Sequence, residues 1–410
     1  MKSTNKVIYK IFLLLLFAFC ACDQSERNSG TGTISYVPED CTMRGQNEFV
    51  YKVMTDTYLW NDIVPAIDPE VYATPSDLLA DARNESVDRW SHITSETDYH
   101  SYYEEGKYFG LGFSFQYDNR ENLRTSFVYK HSAAGEAGLE RGDILLEINE
   151  KTVEEINNQG LWESIMGPDE PGITVELKIR DENGEEKYLL MEKNDVYINT
   201  VLFHDIIEVD GKKTGYLVLK SFLETTKKEL DAVFADFKNV GVDDLILDLR
   251  YNSGGRFSSA VYLASLIGGS NVEGKIFQKH IHNDQHRDWD RNYSFLKHEY
   301  AINLSRVIFI ATGTTCSASE SVINGLAPFI DVVIVGDTTC GKPVGMYGHD
   351  FCDKRIQAIE FQVANADGQG AYFDGIPVDV AAKDDVSKKF GDLEEEMLKA
   401  ALDYIASQPD

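Results

Sequence analysis

Arg306-Val307-Ile308-Phe309-Ile310-Ala311, followed by Thr312-Gly313-Thr314-Thr315-Cys316 and then Ser317-Ala318-Ser319-Glu320-Ser321-Val322-Ile323-Asn324-Gly325-Leu326, decides the reading of this chain. The first six residues form an apolar run of buried-strand type, the next five a loop, and Ser317-x-x-Glu320 is a capping box opening a helix. Asp331-Val332-Val333-Ile334-Val335 reads as the next strand, so the order strand, loop, helix, strand predicts a βαβ unit. Ser317 then stands where free N–H groups and the positive end of a helix favour developing negative charge, a setting that suits a nucleophile.

Outward from this unit, Lys342 lies between Gly341 and Pro343, just past the second strand, where a side chain can turn inward. A lysine base must shed its proton, and desolvation is the means of lowering its ordinary pKa of about 10.4. Gly336-Asp337-Thr338-Thr339-Cys340-Gly341-Lys342 also resembles the start of a phosphate-binding loop, but Pro343 replaces the magnesium-binding hydroxyl. The glycines of Val344-Gly345-Met346-Tyr347-Gly348 do not suit the helix such a loop should open.

Upstream, the strand Asp244-Leu245-Ile246-Leu247-Asp248-Leu249-Arg250 precedes Tyr251-Asn252-Ser253-Gly254-Gly255 and a helical stretch from Phe257 to Ile267. Gly254 and Gly255 let the backbone approach a reacting carbonyl, and their N–H groups with that of Ala318 are candidates for an oxyanion hole.

Asp248-Leu249-Arg250-x-Asn252-x-Gly254-Gly255, Ser317-Ala318-Ser319-Glu320, Gly341-Lys342 and Gly375-Ile376-Pro377-Val378-Asp379, in this order, resemble the tail-specific, or C-terminal processing, serine peptidases. The 25-residue step from Ser317 to Lys342 fits that family's dyad, and the likeness runs from about residue 100 to 390. The resemblance implies a Ser-Lys mechanism without metal or other cofactor. Ser317 would attack, Lys342 take its proton, and Gly254 or Gly255 with Ala318 bind the oxyanion. Glu320 matches a position that assists the dyad in part of the family. A carboxylate paired directly with Lys342 would favour the charged lysine, so orienting the site or capping its helix is the other role open to Glu320.

Three further chemistries have weaker footing. His349 and Asp350 follow Lys342 and supply material for a Ser-His-Asp triad, and Cys316 is a candidate thiol nucleophile without an evident partner. His280, His282 and His286, with Asp284 and Asp288, have metal-like spacing but lie in a polar stretch, Lys279 to Asn292, that reads as an exposed loop. No metal is expected.

Gly110-Leu111-Gly112-Phe113 resembles the carboxylate-binding loop of PDZ domains. Ser132-Ala133-Ala134-Gly135-Glu136-Ala137-Gly138-Leu139-x-Arg141-Gly142-Asp143-Ile144-Leu145 resembles the later half of that module. Successive N–H groups of such a loop capture a chain terminus while the next strand adds the peptide as a further strand. The implied partners are proteins or peptides with apolar C-terminal tails.

The N-terminus carries Lys2, Lys6 and Lys10, an apolar run from Ile11 to Phe19, and Cys20-Ala21-Cys22. The run falls far short of the roughly 18 apolar residues that cross a bilayer and reads as a signal peptide. Cys22 after Ala21 resembles the lipidated cysteine of bacterial lipoproteins, so a cell-envelope protein held to the membrane only by its N-terminal lipid is expected. With 68 acidic against 39 basic residues and a net charge of −29, the chain is unsuited to nucleic acid and anionic lipid surfaces. Cys41, Cys316, Cys340 and Cys352 remain as an even set in an oxidising compartment; a Cys340–Cys352 bridge would brace the lysine loop, though the pairing stays open.

The expected organisation is multidomain α/β: signal peptide 1–22, tether 23–37, small helical domain 38–100, PDZ-like domain 101–195 and catalytic domain 196–410. The resemblance implies a crotonase-like ββα core for the last. The alternative from another class is a non-catalytic PDZ-type peptide-binding lipoprotein with an inert peptidase core, and acyl-thioester chemistry rests on fold analogy alone.

Overall fold

A computed structural model describes residues 37–209 and 211–407. The signal peptide, Cys22 and nearly all of the tether lie outside the described residues. Among those described, no helix is long and apolar enough to cross a membrane.

Two helices open the folded body: α1, Met43–Asp56, and α2, Pro75–Ala82. Thr42 and Thr74 start them by accepting the N–H groups of Gly45 (3.2 Å) and Asp77 (3.1 Å). A strand, β1 (His92–Ser95), follows. Next comes an antiparallel sheet in sequential order: β2 (Phe113–Tyr117), β3 (Leu123–Val128), β4 (Ile144–Ile148), β5 (Thr174–Arg180) and β6 (Glu186–Glu192). Helix α3, Val153–Gln159, begins at a capping box of Thr152 and Glu155. Leu123, Leu145, Ile148, Ile156, Val175, Leu177 and Ile179 form this module's own core. Pairing of Lys107–Gly110 with Asn194–Tyr197 joins its entry and exit.

The largest body is a six-stranded sheet flanked by helices on both faces. In chain order its elements are β7 (Val201–Val209), β8 (Lys212–Leu219), α4 (Thr226–Val240), β9 (Asp244–Asp248) and α5 (Phe257–Gly268). Outside this sheet, β10 (Ile276–His282) and β11 (Arg291–Ser294) form a hairpin. The chain then returns through β12 (Arg306–Ala311), α6 (Ala318–Leu326) and β13 (Asp331–Gly336). A second hairpin, β14 (Val344–Phe351) and β15 (Lys354–Ala364), precedes β16 (Val380–Ala381) and α7 (Glu396–Ser407).

The central order is β7-β8-β9-β12-β13-β16, parallel from β8 onward, with β7 antiparallel to β8. Leu230, Val233, Phe234 and Phe237 recur at helical spacing along α4 and bury one sheet face together with α5 and α6, while Met397, Leu398, Ala401 and Ile405 of α7 cover the other. A sheet buried on both faces needs continuous apolar strands, which is what Leu245-Ile246-Leu247 and Val307-Ile308-Phe309-Ile310 supply.

The remaining sheet runs β1-β15-β10-β11, with β14 also on β15. Phe49, Val50, Val53, Met54, Leu78 and Leu79 of α1 and α2 pack on Val344, Phe351, Ile356 and Ile359 of its hairpin. The N-terminal helices therefore share a core with this sheet rather than owning one. Cys41–Cys352 fastens the two, so the bridge is not Cys340–Cys352.

The segment from Lys279 to Asn292 is not the exposed loop its polarity suggests. Its first residues belong to β10, where His280 and His282 are 3% and 2% exposed among Phe257, Tyr293, Tyr347 and Phe361. His286 bonds Asp56 (2.8 Å), and among the described residues the three rings do not converge into a metal-binding group. Strand pairing with β15 and aromatic stacking override local polarity here.

Candidate active site

Four connections leave the carboxyl ends of β8, β9, β12 and β13 on one edge of the central sheet, where open α/β sheets hold their ligands. Residues 249–255, 312–317 and 337–342 lie there, so the sheet gathers every segment in which the sequence places candidate peptidase residues.

Hydrogen bonds lace the first two loops together. Thr312 and Thr314 hydroxyls donate to the Arg250 carbonyl (2.6 Å each), Thr315 to the Leu249 carbonyl (2.8 Å) and Ser319 to the Asn252 carbonyl (3.0 Å). Ser317 sits at the sharp turn into α6 with φ 54° and ψ −112°, a left-handed conformation that costs a non-glycine residue on the order of 1–3 kcal/mol. A Cβ on Gly254 would lie 2.9 Å from the Ser317 Cβ and 3.1 Å from the Ala318 nitrogen, so glycine is what lets the two loops touch. The Gly254 N–H donates to Asn252 Oδ1 (2.9 Å) and is already committed.

Glu320 joins the serine turn to the lysine loop. Its carboxylate, fully buried, accepts N–H groups from Ser317 (2.8 Å), Gly341 (2.8 Å) and Lys342 (2.9 Å) and the Thr339 hydroxyl (2.6 Å). Burial pushes its pKa up against the downward pull of these donors. One oxygen, Oε2, takes both the Ser317 and the Lys342 N–H, which brings the two backbones side by side. The disulfide Cys316–Cys340 closes the same junction and removes Cys316 as a thiol nucleophile.

The Lys342 ammonium lies 3.7 Å from Met346 Sδ and 5.7 Å from the centre of the Trp90 ring. Arg89 beside Trp90 donates to the Cys340 carbonyl (2.7 Å), and Asp88 is fixed by Tyr58 and by the N–H groups of Trp90 and Ser91 (2.9 Å each). The N-terminal segment thus forms one wall of the lysine site. Burial pushes the Lys342 pKa down to about 8, overcoming the opposing charges of Asp88 and Glu320. Trp90→Ala is expected to admit water and raise this pKa toward the free-lysine value. The indole's cation–π attraction favours the ammonium and acts in the other direction, but at 5.7 Å, near the roughly 6 Å limit of such contacts, it is the weaker of the two effects. Carbon-13 NMR of methylated lysines titrated with pH measures the shift; an unchanged or lower value would show that the ring does not dry the site.

The histidine of the alternative triad is engaged elsewhere: His349 bonds the buried Glu360 across β14 and β15. Lys342 is followed by strand β14 rather than a helix, which removes the phosphate-loop reading. Behind the glycine loop Arg250, with no exposed surface, holds Asp248 (2.7 Å), Asp384 (2.8 Å) and both oxygens of Glu395 (2.9 Å each). Arg141, from the loop before β4, reaches the same Asp384 (2.7 Å) and the Tyr251 hydroxyl (2.6 Å). Burial pushes the Asp384 carboxyl up, yet Arg141 and Arg250 together hold it well below the usual range. Nothing local in the sequence announces this network or the Trp90 wall, because their members lie far apart along the chain.

Away from this edge, Gly110, Leu111, Gly112 and Phe113 line a pocket with Phe115, Met166, Asp169 and Lys193. It opens beside β2, which pairs only with β3 among the described residues.

Comparison with known proteins gives a consistent picture. The family model "Peptidase family S41" matches residues 213–382, and "Peptidase S41 N-terminal domain" matches residues 45–92. The carboxy-terminal processing protease CtpA of Bacillus subtilis (strain 168) is 25% identical over 275 residues, 67% of this chain and 56% of that protein. The matched stretch therefore spans little more than half of that relative. A crystal structure from Bacteroides fragilis NCTC 9343, assigned to the S41 proteases, superposes with TM-score 0.72 at 24% identity, covering 88% of this chain and 98% of that one. The photosystem II D1 C-terminal processing protease follows at TM-score 0.52 and 17% identity, covering 83% and 93%. The two likenesses in structure carry the mixed α/β fold, and with the two family models spanning more than half the residues, the chain belongs to peptidase family S41.

Proposed function

We propose that the protein is a serine endopeptidase of the cell envelope, with Ser317 as nucleophile and Lys342 as general base. The observation that carries this reading is the Glu320 carboxylate, which pins the backbones of both residues while Trp90 and Met346 keep the lysine amine out of water. In the proposed reaction Ser317 Oγ attacks the scissile carbonyl and neutral Lys342 accepts its proton. The oxyanion rests on the N–H groups of Gly255 and Ala318, since that of Gly254 serves Asn252. Lys342 returns the proton to the leaving amine, and a water activated by the same amine then releases the acyl group. Glu320 positions; its carboxylate meets backbone N–H groups of the lysine loop.

The central body is read as the crotonase-like core and residues 101–195 as a PDZ-type module, whose edge strand β2 would take an apolar C-terminal tail beside Gly110–Phe113. Export and lipid attachment at Cys22 belong to the same proposal, supported by the two disulfides, which suit an oxidising compartment.

The test is cleavage of an unfolded, apolar-tailed protein by the wild type, Ser317→Ala and Lys342→Ala. Loss of cleavage in both variants is expected, and equal cleavage by all three would remove the reading. Tail binding without turnover in the wild type would favour the inert peptide-binding alternative. Amidating the substrate's C-terminus is expected to weaken binding, and an unchanged affinity would take the carboxylate-reading role from the Gly110–Phe113 loop.

A further inference from the structure

Lys220 directly follows β8, on the edge of the central sheet that carries the candidate site, next to the connection from β9. Its neighbour Ser221 reaches the Gly254 carbonyl (3.4 Å), and the Phe222 N–H donates to the same carbonyl (3.0 Å). The Lys220 N–H is fixed on the Thr200 carbonyl (2.8 Å), so the residue is held against the glycine loop. Its ammonium lies 5.4 Å from the centre of the Phe127 ring, on β3 of the neighbouring module. The side chain therefore stands at the seam between the module and the glycine loop.

What sets Lys220 apart is the absence of an anion. The chain has 68 acidic residues, yet among the described residues no carboxylate pairs with this half-buried ammonium. Burial pushes its pKa down, with no opposing acidic neighbour. Withdrawing a cation from water without a partner is unfavourable, and a charge-assisted bond from an arriving carboxylate would relieve that cost.

We propose that Lys220 forms a carboxylate-binding subsite of the substrate groove, taking either the C-terminal carboxylate or an Asp or Glu side chain of the bound peptide. This rests on the peptidase reading of the site, with Lys220 acting in recognition and not in bond cleavage. It also adds a charged contact apart from the Gly110–Phe113 loop.

The experiment measures equilibrium binding of three fluorescent peptides to the full chain carrying Ser317→Ala, so that cleavage plays no part. One peptide is neutral with a free C-terminus, the second is neutral and amidated, and the third is amidated with one internal Glu. At least one carboxylate peptide is expected to bind roughly tenfold more tightly than the neutral amide. Adding Lys220→Met should bring an internal-Glu ratio near one, or lower a free-terminus ratio to the share the Gly110–Phe113 loop supplies, and Lys220→Arg should keep either. Preference for the internal-Glu peptide would identify a side-chain ligand, which a terminus-reading loop cannot mimic. Preference confined to the free terminus and lowered by Lys220→Met would identify the C-terminal carboxylate.

An internal-Glu preference that survives Lys220→Met, a free-terminus preference that Lys220→Met leaves undiminished in the absence of any internal-Glu preference, no charge preference, or no binding at all would overturn the proposal. Lys220→Gln repeats the test should the methionine variant melt early. Cleavage by the wild type is scored separately, so the peptidase reading can stand when the subsite fails.

Discussion

Lys342→Arg is expected to abolish peptide cleavage, with kcat falling roughly 10²–10⁴-fold, while the thermal transition of the protein stays cooperative. A guanidinium keeps its proton at any ordinary pH and cannot receive one from Ser317. The wild type should show its complementary signature in kcat/KM, which rises with pH and levels off above about 8, the value to which burial lowers the Lys342 ammonium. The sign follows from the neutral amine being the active form. Below that pH the ammonium dominates and activity drops about tenfold per unit, because each unit removes nine-tenths of the remaining base. A flat profile from pH 6 to 9 with chemistry rate-limiting, or full activity in the arginine variant, would eliminate Lys342 as the base.

Arg250→Met is expected to give the largest loss of stability, on the order of 3–5 kcal/mol in urea denaturation. The substitution leaves Asp248, Asp384 and Glu395 crowded behind the glycine loop with their shared cation gone. Glu395→Gln removes one of those charges, so combining it with Arg250→Met should cost less than the two single losses added together. Strict additivity would mean that the residues do not act as one network. The effect should extend to catalysis where losing the side-chain anchor shifts the backbone at 250, whose carbonyl accepts the Thr312 and Thr314 hydroxyls of the serine loop.

The central sheet was legible wherever apolar runs were continuous. The strand beginning at Arg306 and the helix face Leu230, Val233, Phe234 and Phe237 match their expected places because burial on both sides leaves a periodic local signal. Ser317, Glu320, Lys342 and the glycine pair stood out for a similar reason, each having unusual chemistry beside a predicted strand or helix end. Lys279 to Asn292 misled because its polarity is local, whereas its partners Phe361 and Tyr347 arrive from a later hairpin. The Cys41–Cys352 pairing, the Trp90 wall and the solitary charge of Lys220 are likewise properties of distant neighbours. No window along the chain contains them.

The Cys41–Cys352 bond also sets how the molecule bears load. A pull on the leading end of the chain reaches Cys41 and crosses the sulfurs to Cys352, a jump of 311 positions. Tension bypasses everything between them, including Ser317 and Lys342, and continues toward the tail. The sulfur bridge is thus a covalent short cut past the reaction centre, as a strap carries weight around a fragile part.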